Sequence, residues 1–182
     1  MTLRYTPLKL FHYPEKLASL PRESEAAKPP LHIRIKPTNV CCHHCYYCAY
    51  RTPDLQLGED IDLRQFIPRD KMREIVEDII EMGVGAVTFS GGGEPFVYPH
   101  LLETAKRLAD SPVRFASLTS GARLEGEVAE VFAHAASWIR VSIDGWDAES
   151  YARYRNVRPQ EFGRVLRNLE RFKAFGGRCI MG

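Results

Sequence analysis

Residues 31–36 alternate Leu31, Ile33 and Ile35 with His32, Arg34 and Lys36, a period of two that predicts a strand stopped by Pro37. Over 68–82 the period lengthens. Met72, Ile75, Val76, Ile79 and Ile80 recur at helical spacing, with Pro68 suited to the first turn and Gly83 to the stop. The same reading continues along the chain. It predicts a short strand over 86–90 running into glycines, a helical stripe of Leu101, Ala105 and Leu108 opened by Pro99, and a strand over 113–118. A helix over 125–135 carries Val128, Val131 and Phe132, and a fourth strand covers 138–143. The last helix, 161–175, puts Phe162, Val165, Leu166, Leu169 and Phe172 on one face and ends at Gly176-Gly177.

Strands alternating with amphipathic helices imply an α/β fold with a parallel sheet, either doubly wound or a barrel, whose chemistry sits at the C-terminal ends of the strands. Residues 179–181 look like a fifth strand, and the sequence stops at Gly182 with that strand unfinished. An eight-strand barrel takes ~250 residues. The expectation is therefore a partial (β/α) TIM-like barrel, truncated in the fifth strand, with an exposed sheet edge that favours poor solubility. Residues 1–30 read as an N-terminal extension and 31–182 as the incomplete barrel.

Composition narrows the classes. With 45% hydrophobic and 26% charged residues, the 182-residue chain can build a core. A net charge of +2 gives no evident nucleic-acid surface, and no apolar run approaches a membrane span or a secretory signal. Four of the five cysteines crowd into 41–48 and Cys179 stands alone, which is not the spread of a disulfide framework. A reducing, cytoplasmic setting is expected.

The cysteines follow the first strand directly, in Pro37-Thr38-Asn39-Val40-Cys41-Cys42-His43-His44-Cys45-Tyr46-Tyr47-Cys48. Thiolates so closely spaced suit a soft metal centre. Structural zinc favours four ligands in two separated pairs, whereas Cys41, Cys45 and Cys48 are three thiols from one loop; His43 or His44 could complete a zinc site. After the second strand, Ser90-Gly91-Gly92-Gly93-Glu94-Pro95 allows a sharp turn and a close backbone approach. It lacks the dinucleotide G-x-G-x-x-G spacing.

Cys-x3-Cys-x2-Cys with Tyr47 before the last cysteine resembles the signature of the radical S-adenosylmethionine superfamily, over almost everything from Leu31 onward. The resemblance implies a barrel of the radical SAM type in which Cys41, Cys45 and Cys48 hold a 4Fe-4S cluster. The open iron of that cluster chelates S-adenosylmethionine, whose reductive cleavage gives a 5'-deoxyadenosyl radical for hydrogen abstraction. Cys42 stands where related sequences often have asparagine, and Cys42-x2-Cys45-x2-Cys48 remains an alternative ligand set. By the same resemblance Tyr47, Gly92, Gly93, Glu94, Ser142, Asp144 and Arg155 contact S-adenosylmethionine; no side chain is assigned a catalytic role. The motifs are most similar to members with a C-terminal SPASM-type auxiliary-cluster domain, which this sequence does not contain. They imply a small-molecule or peptide substrate and an electron donor such as flavodoxin or ferredoxin.

The fourth strand, Arg140-Val141-Ser142-Ile143-Asp144, would turn Arg140, Ser142 and Asp144 inward, beside Arg34, Lys36, Thr88 and Ser90. Those cations suggest that negative charge enters the cavity. The rival class is a non-catalytic iron-sulfur or zinc module for electron transfer or assembly.

Overall fold

Five strands lie side by side in chain order: β1 (His32–Ile35), β2 (Ala86–Phe89), β3 (Arg114–Thr119), β4 (Trp138–Val141) and β5 (Ile180–Met181). Every neighbouring pair is parallel. Parallel neighbours cannot be joined by a tight turn, so each connection must carry the chain back along the sheet. The computed structural model describes residues 11, 13–18, 28–52 and 60–182, so most of the expected 1–30 extension lies outside the described residues. The chain divides into two units, Met1–Pro30 and Leu31–Gly182. The first contributes a short helix, α1 (Pro14–Ala18).

In the second unit the return connections carry α2 (Arg69–Glu81), α3 (Leu101–Ala109), α4 (Gly126–Ala135), then α5 (Ala148–Arg155) and α6 (Gln160–Ala174). Side chains alternate across a strand, and Ile35, Val87, Phe89, Phe115 and Ile139 fall on one side. They bury against Met72, Val76 and Ile79 of α2, Leu101, Ala105 and Leu108 of α3, and Phe132 of α4. Phe132 anchors this core. Its ring centre lies 4.9 Å from that of Phe96 and 5.1 Å from that of Phe115, with Phe89 at 6.3 Å. These are ordinary aromatic-pair separations.

The opposite side of the sheet is polar. Arg34 aligns with Thr88, Thr88 with Ala116 and Ala116 with Trp138, and one layer up Leu118 aligns with Arg140. Arg34, Lys36 and Arg140 are exposed.

Two elements differ from the sequence expectation. The fourth strand ends at Val141 rather than Ile143 because the Ser142 carbonyl accepts a hydrogen bond from the Arg155 guanidinium instead of from a neighbouring strand. Helix α5 was not foreseen, since its eight residues carry too few apolar positions to show a stripe. A reciprocal cap starts it, Ser150 N–H donating to Asp147 Oδ1 at 2.8 Å and Asp147 N–H to Ser150 Oγ at 3.1 Å. Asn156 ends it in the left-handed region, with φ of 50°.

Candidate functional site

The cysteine loop leaves the C-terminal end of β1 and is pinned on two sides. On one, Asn39 N–H donates to Gln65 O at 2.8 Å and the Asn39 side-chain amide to Asp62 O at 3.0 Å. On the other, Gly93 N–H donates to Thr38 O and Glu94 N–H to Val40 O, each at 2.9 Å. This contact explains the glycines. A Cβ on Gly93 would collide with Val40 O and come 2.6 Å from the Asn39 carbonyl carbon, and one on Gly92 would collide with Asn39 Oδ1. The close approach expected for a ligand is made first by the protein's own loop.

Glu94 is 3% exposed and its carboxylate is engaged from three directions. Thr119 Oγ1 donates to Oε1 at 2.7 Å, Ser120 N–H to Oε2 at 2.7 Å and Phe96 N–H to Oε1 at 3.1 Å. A buried carboxylate needs such donors to offset its lost hydration. The acid thus ties the end of β2 to the end of β3 beneath the cysteines.

A second group gathers at the end of β4. Tyr47 donates to Asp144 Oδ2 at 2.6 Å, and Asp144 forms an ion pair with Arg155. Arg155 also donates to Cys45 Sγ at 3.4 Å, while its own carbonyl accepts from His44 N–H at 3.2 Å. Burial, reinforced by the hydrogen bond to Asp144, pushes the Tyr47 phenol upward. Four of the expected contacts, Tyr47, Ser142, Asp144 and Arg155, therefore meet around one guanidinium. Tyr47 and Asp144 line a hollow of about 420 Å³ with Tyr46, Trp146 and Tyr154. Gly92, Gly93 and Glu94 form the separate group at the end of β2.

All five cysteines are free thiols. Cys42 donates a hydrogen bond to Cys41, which pulls the Cys41 thiol down to about 7 against the opposing effect of burial; the Arg51 guanidinium acts in the same direction. The same hydrogen bond, burial and the Glu94 charge push Cys42 strongly upward. Cys42 lies 3.9 Å from Ser120 Oγ and packs against the apolar cluster of Ala122, Tyr151 and Val165. Cys41 thus has surroundings that favour thiolate, and Cys42 has surroundings that favour thiol.

Whether this loop suits a metal cluster is a question of donor chemistry. Three uncrosslinked thiols, one beside an arginine and one with a depressed pKa, are the soft ligands that iron-sulfur clusters take. Among the described residues the buried side-chain polar atoms without a partner belong to His43, Arg51, Tyr151 and Arg155, all in or against this loop. As they stand, no three described Cys, His, Asp or Glu side chains form a ready metal-holding group. The three thiols share a loop without being drawn together. The donor set fits the group.

Arg51 and Tyr151 escape sequence reading, and His43 enters it only as a possible zinc ligand. His43, 1% exposed, stands edge-on to Tyr151 at 6.0 Å between ring centres, with Glu161 Oε1 3.8 Å from Nε2. Arg51 Nη2 donates to Asn39 O at 2.6 Å and closes the loop on itself. Its position three residues past Cys48 was the available signal.

The chain is similar to known proteins in sequence and in fold. A sequence profile described as the Radical SAM superfamily matches residues 35–182. GTP 3',8-cyclase of Pasteurella multocida is 30% identical over 142 residues, 77% of this chain and 40% of that protein. AdoMet-dependent heme synthase of Methanosarcina barkeri is 29% identical over 133 residues, 72% of this chain and 35% of that protein. The chain thus spans 40% or less of the length of these two curated relatives. Among solved structures, Streptococcus suis SuiB bound to S-adenosylmethionine superposes with a TM-score of 0.69 at 20% identity, over 99% of this chain and 40% of that one. Native anSMEcpe with bound AdoMet gives 0.63 at 21% identity, over 84% of this chain and 44% of that one. At such identities the structures establish a shared fold.

Proposed function

The chain belongs to the radical SAM superfamily, and from that premise we propose that it binds a 4Fe-4S cluster through Cys41, Cys45 and Cys48 and uses it to cleave S-adenosylmethionine reductively. The observation that carries this reading is the Arg155 guanidinium, which donates to Cys45 Sγ and pairs with the Asp144 carboxylate that receives the Tyr47 phenol. One buried cation thereby links an expected ligand to the expected cofactor contacts. Held by Cys41, Cys45 and Cys48, the cluster would supply the single electron that reductive cleavage of S-adenosylmethionine to a hydrogen-abstracting radical requires.

The chain's own residues position and exclude. Cys41, rather than Cys42, completes the ligand set, because Cys42 is held as a thiol against apolar side chains. The cradle of Gly92, Gly93 and Glu94 fixes the N-terminal arm of the loop, and its backbone carbonyls are the acceptors available to the cofactor's amino group. Tyr47, Tyr46 and Trp146 offer ring faces for an adenine in the hollow beside Asp144. Arg155 orients Asp144 and the Ser142 carbonyl, leaving Asp144 placed to accept from ribose hydroxyls. The substrate is a small molecule or a peptide, the electron donor is a carrier such as flavodoxin or ferredoxin, and 31–182 is the N-terminal portion of the radical SAM core, with 1–30 an extension.

Anaerobic reconstitution with iron and sulfide, followed by EPR of the dithionite-reduced chain with and without S-adenosylmethionine, tests the reading. The expected result is a cluster signal whose g-values move with the cofactor. A signal indifferent to it would transfer the chain to the electron-transfer class, and retention of zinc in place of iron would sink the proposal.

A further inference from the structure

A hollow of about 670 Å³ opens beside the cysteine loop and shares no residue with the aromatic one. Cys42 forms part of its wall, one residue from the expected ligand Cys41. The rest of the wall includes Arg123 from the β3–α4 connection, Arg158 from the α5–α6 turn, and Glu161, Arg164 and Arg167 spaced three apart along α6. Four guanidiniums thus face a single carboxylate. Arg123 lies 3.7 Å from Glu125, and Glu161 is 3.6 Å from Arg164 and 3.8 Å from the His43 ring. Among the described residues Arg158 and Arg167 enter no ion pair.

The exposure of these groups indicates their partner. A site built for a small phosphate buries its arginine forks and aims them at one point. Here Arg123 and Arg164 remain 49% and 45% exposed and are already turned toward the protein's own acids. Exposed like charges spread around an open hollow act differently: they steer an oppositely charged macromolecule and govern how fast it arrives. Electron-transfer complexes are of this kind, small in area and weak. The proposed reaction requires one electron from outside, and its cofactor is assigned to the aromatic hollow.

We propose that Arg123, Arg158, Arg164 and Arg167 form the docking face for an acidic one-electron carrier protein, which delivers its electron to the loop through the wall that contains Cys42. The inference rests on the cluster-binding reading above. With a flavodoxin as donor the step balances simply. The anionic flavin hydroquinone becomes the neutral semiquinone, the oxidised cluster is reduced by one electron, and no proton or group is transferred.

The test compares the reconstituted chain with Arg158→Glu/Arg167→Glu, mixing each with reduced flavodoxin in a stopped-flow spectrometer across a salt series. Expected are a wild-type rate constant that falls as salt rises, a variant slower by about tenfold or more at low salt, and an unchanged dithionite-reduced EPR signal in the variant. Equal rates and equal salt dependence in the two proteins would overturn the proposal. So would tight binding of pyrophosphate that the variant loses while its flavodoxin rate is unchanged, since that assigns the hollow to a small anion. If the charge reversal blocks cluster assembly, Arg158→Gln/Arg167→Gln takes its place with a smaller expected fall, and a wild-type rate indifferent to salt overturns the proposal without any variant. If the wild type holds no cluster, the earlier reading fails by itself. Binding of oxidised flavodoxin to the cluster-free chain, followed by flavin fluorescence anisotropy, then decides the docking face: salt-sensitive binding weakened by the double substitution supports it, and its absence overturns it.

Discussion

Charge is handled differently on the two sides of the sheet. Over helices α2, α3 and α4 cations are matched with acids. Arg69 and Arg73 both reach Glu103, Arg107 grips Glu77 with two parallel hydrogen bonds, and Lys106 pairs with Glu127. On the polar side Arg34, Lys36 and Arg140 enter no ion pair among the described residues; Lys36 donates only to the neutral Tyr50 hydroxyl, at 2.8 Å. Matched pairs on a surface add modestly to helix packing. Arg34 and Arg140 lie three strands apart, on β1 and β4, so these unmatched cations add nothing to folding and repel weakly at low salt. The difference gives the matched helix surface a stabilising role and leaves the polar side without one.

Four substitutions would break or sharpen that contrast. The largest effect belongs to the helix side: Phe132→Ala empties the centre of the aromatic core and should cost about 3–5 kcal/mol in chemical denaturation. A loss below about 1 kcal/mol would mean that the core is not where the fold's stability resides. On the polar side, Arg140→Ala should leave stability within about 0.5 kcal/mol of wild type, and joined with Arg34→Ala should raise it slightly at low salt. A clear destabilisation would make these cations structural and cancel the contrast. The smallest effect is expected at Glu103→Gln. Arg69 and Arg73 hold the Glu103 carboxyl below its usual pKa, so the stabilisation it gives is present above the unfolded carboxylate pKa and is lost as pH falls through the folded one. Thermal melts of wild type and variant should differ slightly at neutral pH and low salt and should converge in acid or in high salt.

The sequence shows the sheet and its flanking helices well, because their apolar positions repeat locally: 69–81 and 160–174 carry stripes that need no tertiary knowledge. The ligand loop and the glycine motif were legible for the same reason, each being a short run with a distinctive spacing. What escaped depends on residues far apart in the chain. Arg155 and Cys45 are separated by 110 positions, and nothing local to Tyr154-Arg155-Asn156 indicates that its guanidinium reaches a thiol. Helix α5 rests on an Asp147–Ser150 cap and a buried Tyr151 rather than on periodicity. The glycines read as a place where the backbone approaches a ligand; the surface they approach in the structure, Asn39 and Val40, belongs to another loop and becomes visible only in three dimensions.

The hydrogen bonds from Gly93 and Glu94 to Thr38 and Val40 also bear on the order of events as the protein matures. They join residues more than fifty positions apart, and Glu94 is in turn fixed by Thr119, the last residue of the third strand, and by Ser120 just after it. The base of the cysteine loop therefore has its final place only after three strands have come together. Iron delivered to the nascent chain would meet thiols on a loose tether, whereas iron delivered to the folded chain meets a loop whose root is already set, so metallation belongs late in the life of the polypeptide.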